Sequence, residues 1–213
     1  MTYAIGRGVR VEIGITEGSP ITVTEVTAAD PPVASATAHG LAAKSIAYFS
    51  TATGMPQLEG QAVRLETVAA NTFNLEDLDT INYGDFTAGA VVPITAWSTL
   101  VSATDYNKAG GEASALDVSV LLDTVGQSEA GALASENVTF SGRMETISSA
   151  ALSKVRMVAR AGGFLVFRMT LKDGSVRFFR GSPGLPTEQL AQGAVGGYSF
   201  NVIVKQLVLE GVA

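Results

Sequence analysis

The residues able to do chemistry are few and scattered. The single histidine, His39, stands in Ala38-His39-Gly40-Leu41. A catalytic or metal-bound imidazole needs a carboxylate or further ligands at defined spacing, and none is arranged beside it, so His39 reads as a turn residue. Gly181-Ser182-Pro183-Gly184 sets a serine among glycines without the G-x-S-x-G order of a nucleophile elbow or evident triad partners, and reads as a loop. Gly193, Gly196 and Gly197 lack the Lys-Ser/Thr of a phosphate loop and precede a strand pattern, which makes them a connection. The run Glu76-Asp77-Leu78-Asp79 spaces carboxylates as Ca²⁺ ligands can be spaced, but it lacks the D-x-D-x-D-G repeat and the distal glutamate. It reads as a solvated loop, with a weak cation site as the alternative. Cysteine is absent, which excludes disulfides, thiolate metal sites and thiol nucleophiles. The expectation is a non-enzymatic protein that uses no cofactor or metal.

The elements around these residues are mostly strands. Val9, Val11, Ile13 and Ile15 alternate with polar or small residues, as half-buried strands do. Leu116, Val118, Val120 and Leu122 form one face of a second strand, with Asp117, Ser119 and Asp123 largely opposite. Val138, Phe140 and Met144 mark a third, and Leu165, Phe167, Met169 and Leu171 a fourth. The fourth ends at Lys172-Asp173-Gly174-Ser175, where Asp-Gly predicts a type I′ hairpin returning over Val176–Arg180. Tyr198, Phe200, Val202 and Val204 open a last strand whose phase changes to Leu207 and Leu209, predicting a bulge at Lys205-Gln206. One helix is predicted over 148–161, capped by Ser148 or Ser149 and stopped at Gly162-Gly163, with Lys154, Arg156 and Arg160 in its second half.

Composition limits what such a fold can do. Of 213 residues, 46% are hydrophobic and only 16% charged, so a core forms without staples and much of the surface is expected to be hidden in partners. No apolar run is long enough to span a membrane, and Met1-Thr2-Tyr3-Ala4-Ile5-Gly6-Arg7 lacks the pattern of a signal peptide, so cytosolic synthesis is expected. The net charge of -6 sits in residues 21–90, which hold eight acids and two bases, while the remainder holds twelve of each. This break argues for two units and against a basic nucleic-acid-binding surface.

Residues 21–90 carry Ala38-His39-Gly40-Leu41, Gly54-Met55-Pro56-Gln57-Leu58-Glu59-Gly60 and Asn71-Thr72-Phe73-Asn74-Leu75, closing at Asp79-Thr80-Ile81-Asn82-Tyr83-Gly84-Asp85-Phe86. This ordered set resembles the small FCCH-like β-barrel module inserted in many bacteriophage virion proteins; it departs from that pattern at Ala42-Ala43-Lys44-Ser45. The layout of residues 1–20 and 91–213 resembles the major tail tube proteins of long-tailed, siphovirus-type phages. That resemblance implies a two-sheet antiparallel sandwich with one flanking helix, 21–90 being an inserted small β-barrel. It further implies homo-hexameric rings stacked into a tube that conducts DNA from capsid to host. The implied partners are further copies of the chain, the tape measure, tail terminator and distal tail proteins, and transiently DNA. The implied location is the virion tail, after assembly in the host cytoplasm. A head decoration or adaptor protein, and an adhesive or carbohydrate-binding module, are the other readings.

Within that picture the polar segment 98–115 is expected to be a loop that orders against a neighbouring ring, with Thr104, Asp105, Tyr106, Asn107 and Lys108 at its centre. Asp117 and Asp123 are expected to line the lumen and repel phosphate. The acidic unit is expected to decorate the outside and to be dispensable for tube formation, since the chain enters it near Ser19-Pro20 and leaves near Val92-Pro93, where insertions are tolerated.

Overall fold

The computed structural model describes residues 8–118, 125, 127–144, 149–190, 192 and 194–211. Its first strands are β1 (Arg10–Glu17), β2 (Ile21–Val23), β3 (Glu25–Val26), β4 (Val33–Ser35), β5 (Ile46–Thr53), β6 (Ala62–Glu66) and β7 (Thr72–Leu75). A long β8 (Ala88–Thr99) follows, then β9 (Ala103–Ala109), β10 (Ala113–Asp117), β11 (Ser128–Leu133) and β12 (Asn137–Arg143). After the helix α1 (Ala150–Ala161) come β13 (Leu165–Thr170), β14 (Val176–Pro183), β15 (Thr187–Gln189), β16 (Gly197–Val204) and β17 (Leu209–Gly211). One curled antiparallel sheet runs β3-β4-β7-β6-β5-β8-β1-β13-β14-β16-β12-β9, and β10-β11 form a separate two-stranded sheet. The expected mainly-β sandwich with one helix is what the chain forms.

Two cores lie on opposite faces of one pair of strands. Val11, Ile13, Val138, Leu165, Phe167, Phe179, Phe200 and Val202 fill the concavity of the β1-to-β9 half, where Phe140 stacks on Phe167 with ring centres 5.6 Å apart. Helix α1 caps this core through Ala151, Leu152 and Val155. Ser149 is its N-cap, accepting from the Leu152 amide, and Gly162 closes it in the left-handed conformation at φ 64°. The second core is built mainly from residues 23–94, among them Phe49, Leu58, Leu65, Phe73 and Val91. It also takes in Val166, Val176, Phe178 and Leu209 from the far end of the chain. Adjacent residues Phe178 and Phe179 are both fully buried, one in each core. Side chains alternate across a strand, so β13 and β14 are a wall with apolar packing on both faces.

Several local expectations need correction. At Asp173-Gly174 only Gly174 takes a positive φ, 86°. The Gly174 amide donates to the Leu171 carbonyl and the Leu171 amide to that of Ser175. This is a three-residue loop closed by a left-handed glycine instead of a type I′ turn. The last strand does not merely bulge at Lys205-Gln206. It breaks there, so that β16 pairs with β12 and β14 while β17 pairs separately with β14. Gly181-Ser182-Pro183 is the end of strand β14 and not a loop. Segment 98–115 is not a loop either, for it spans the end of β8, all of β9 and most of β10.

Candidate functional site

The surface with the most distinctive chemistry is the convex side of the β9-β12-β16 sheet. Val138, Phe140 and Gly142 of β12 point inward, which leaves Asn137, Thr139, Ser141 and Arg143 outside. Across the ladder they face Ile203, Asn201, Ser199 and Gly197 of β16. On the other side Asn137, Thr139 and Ser141 face Ala109, Asn107 and Asp105 of β9. The face is thus mostly amides and hydroxyls, with one acid and one base at one end and the exposed Ile203 beside Ala109 and Asn137 at the other, and it is knit by a Ser141 Oγ to Ser199 Oγ hydrogen bond of 3.3 Å. It can hydrogen-bond to water along its length and has no cluster of cations with which to hold phosphate.

The sheet ends at an open edge. Among the described residues β9 pairs only with β12, so a row of its backbone groups has no strand beside it. β9 then runs into β10 through Gly110-Gly111, and β11 returns into β12 through Ala134-Ser135-Glu136, held by Gly111 N to Ala134 O and Ala134 N to Glu112 O hydrogen bonds. The base of this arm is fixed by Glu136, which is 7% exposed and accepts from Lys108 Nζ and the Val208 amide.

Of the residues expected to form an inter-ring arm, Thr104, Asp105, Asn107 and Lys108 are exposed on β9, and Tyr106 is half-buried against Phe140 with ring centres 5.7 Å apart. Burial raises the Tyr106 phenol above its ordinary pKa, against the opposing influence of Arg177. Asp117 is exposed on β10, off the main sheet, and Asp123 lies outside the described residues. Sequence reasoning missed the Asn/Ser/Thr face itself. Its signal was the polar half of the alternation in 137–143 and 197–203.

The residues weighed for chemistry have separate structural tasks. His39 is 9% exposed, its Nδ1 accepts from the Leu41 amide at 3.0 Å, and its ring meets Phe73 edge-on at 5.1 Å. It is a turn residue, between Ala38 at φ 48° and Gly40 at φ 62°. The acidic run is not a uniformly solvated loop. Glu76 is 6% exposed and meets Arg64 Nη1 at 2.9 Å, Asp77 accepts from the Glu210 amide, and Asp79 accepts from the Ile81 amide two residues on. No group of three or more metal-ligating side chains occurs among the described residues.

Polar contacts also tie residues 21–90 to the rest of the chain. Gln61 donates to the Leu207 carbonyl and accepts from its amide, pairing its side chain as a strand would. Tyr48 donates to Glu17 at 2.9 Å, and the Arg180 guanidinium lies 4.2 Å over the Tyr48 ring and 4.7 Å from that of Phe164. Burial, then the neighbouring Glu17, pushes the Tyr48 phenol up to about 12, and burial lowers Arg180.

A β protein whose described residues offer an open strand edge, a protruding hairpin and a neutral polar face is of the structural, self-associating class. Its sequence matches the family model of the phage tail tube protein, TTP, over residues 53–182, and the chain belongs to that family. The match begins inside the 21–90 segment and ends within β14, one residue before its last. The protein is accordingly a structural component of a phage tail, one that assembles with itself and with other tail proteins. A search of characterised proteins gives no match.

Proposed function

We propose that six copies close into a ring, that rings stack into the tail tube of a long-tailed, siphovirus-type phage, and that DNA passes through it from capsid to host. The observation that carries this reading is the neutral Asn/Ser/Thr face of β9-β12-β16, ending at the unpaired edge of β9. Rotational closure pairs such an edge with the next copy and removes it, and the polar face becomes the wall of a lumen. A wall without clustered cations lets a polyanion slide, since it releases few counterions. We therefore assign the lining to Asn107, Asn137, Thr139, Ser141, Ser199 and Asn201. Asp117 belongs to the hairpin that leaves this sheet, and the inter-ring arm starts in β9, at Thr104–Lys108, and continues through β10 and β11. Residues 21–90 form an outward, FCCH-like acidic unit in this scheme. Assembly takes place in the host cytoplasm, with the tape measure, tail terminator and distal tail proteins as further partners.

Electron microscopy of the purified protein tests the reading. Stacked rings with six-fold class averages are expected. Trimers or monomers at concentrations where the chain is folded, as a decoration protein would give, would overturn it.

A further inference from the structure

The β10-β11 hairpin has no core of its own. All five residues of β10 are exposed, as are Ser128, Glu129 and Ala130 of β11, and the two strands pair with each other and with no third strand among the described residues. An isolated two-stranded hairpin is marginal in water. This one also leaves Leu116, Val118 and Val125 at 54%, 43% and 75% exposure. Apolar side chains on a projection that buries nothing call for a partner surface. The charge of the arm narrows the choice: between Ala109 and Gly142 the sequence has five acids, among them Glu112, Asp117 and Glu129, and no base.

One surface of the chain has the opposite character. Helix α1 carries Lys154, Arg156 and Arg160 and no acid. Its buried stripe of Leu152 and Val155 faces the core, which turns Ser153, Met157 and Arg160 to solvent, with Met157 56% exposed. These residues border an open hollow with Arg156 and Ala161. Arg156 already pairs with Glu188, so the cations that offer themselves to an incoming acid are Lys154 and Arg160. A flexible methionine flanked by cations suits a surface that is apolar at its centre and acidic at its edges.

We propose that the outer face of α1 is the receptor for the β10-β11 arm of another copy, with Leu116 and Val118 against Met157 and with Glu112 and Glu129, which pairs directly across from Leu116, toward Lys154 and Arg160. The inference rests on the tube reading for its setting and adds the partner surface that the arm lacks. Complementary charge sets orientation and rate of docking, and the apolar contact excludes water at its centre. Docking should therefore weaken as salt rises above the physiological range.

The absence of cysteine makes the test direct. Leu116→Cys and Met157→Cys are made in separate copies carrying different tags, mixed, allowed to assemble, and oxidised. A disulfide-linked dimer bearing both tags is expected, at about tenfold or more the yield from Leu116→Cys mixed with Ile81→Cys, because docking raises the local thiol concentration. Ile81 is a fair control, being 57% exposed on the acidic unit. The covalent readout separates this inference from the tube reading. Tubes of normal width without excess dimer overturn the docking and leave the tube standing. Dimer without tubes supports the docking and counts against the tube, and neither product overturns both. As a second measurement, Lys154→Glu/Arg160→Glu should impair assembly and Glu112→Lys/Glu129→Lys in the same chain should restore it. Failure of the combined variant to exceed either parent, with all three folded, would also overturn the docking.

Discussion

Deleting residues 20–92, so that Ser19 joins Pro93, is the sharpest perturbation this architecture offers. Geometry favours the junction: the Gly18 amide already donates to the Pro93 carbonyl at 2.8 Å, so the two ends lie side by side. Packing opposes it. Val166, Val176, Phe178 and Leu209 are 2%, 8%, 0% and 5% exposed, and all four lie in the core that residues 21–90 mostly build. Re-exposing four such side chains costs about 1.5–3 kcal/mol each, or about 6–12 kcal/mol together. A domain of this kind has a total stability of about 5–15 kcal/mol. The loss of the Tyr48 ring from Arg180 and of the Gln61 amide from Leu207 adds to it. We expect the deleted chain to be aggregated or molten, with no cooperative melt by circular dichroism and no tubes by microscopy. The same experiment judges the earlier expectation that 21–90 is dispensable. A soluble deletion variant that melts cooperatively and still forms tubes would refute the claim that β13 and β14 need packing on both faces.

Three further outcomes are expected. Ser149→Ala removes the cap on the Leu152 amide and should lower stability by about 1 kcal/mol, read as a shift in the urea midpoint at unchanged slope; no shift would mean that the cap is redundant. Glu76→Gln removes the carboxylate that faces the buried Arg64 guanidinium and should cost about 3 kcal/mol or more in a thermal melt, with Arg64→Met/Glu76→Leu recovering much of it. Burial and the neighbouring Glu17 raise the Tyr48 phenol from its ordinary pKa of about 10 to about 12, so the folded state favours its neutral form. That contribution is complete below pH 10 and is lost as pH rises through about 12, so stability should fall over this window, and fall less steeply in Tyr48→Phe. Equal slopes in the two proteins would count against the Glu17 and burial account.

What the sequence made legible follows from which interactions are local. Helix α1 could be read because its signals, Ser149 at one end and Gly162 at the other, lie within the element. Strands β12 and β16 could be read because one of their faces is buried and the other wet, which is the condition for alternation, and β13 because Arg168 and Thr170 keep the alternation over its second half although Val166 is buried in the other core. β14 was placed but ended early, since Gly181-Ser182-Pro183 carries turn residues into a strand. β8 was missed because Pro93 reads as punctuation. The strand passes straight through it, at the point where pairing with β5 gives way to pairing with β1 and a ladder N–H can be spared. β9 was missed for a different reason: only one of its faces touches a core, through Ala103 and Tyr106. The candidate surface shared that obscurity, since its amides and hydroxyls have no motif and become a site only when three strands are placed side by side.

The wall formed by β13 and β14 also fixes when the chain can fold. Residues 21–90 would leave the ribosome first, yet their core stays open on one side until Phe178 and Leu209 arrive, and Gln61 waits for Leu207 across 146 positions. Strand β1 waits likewise for β13. Contacts of such separation are slow to form and leave half-built sheet edges open in the meantime. The acidic segment therefore cannot complete its core until the last strands are made, and its net negative charge of -6 opposes association of such unfinished chains in the meantime.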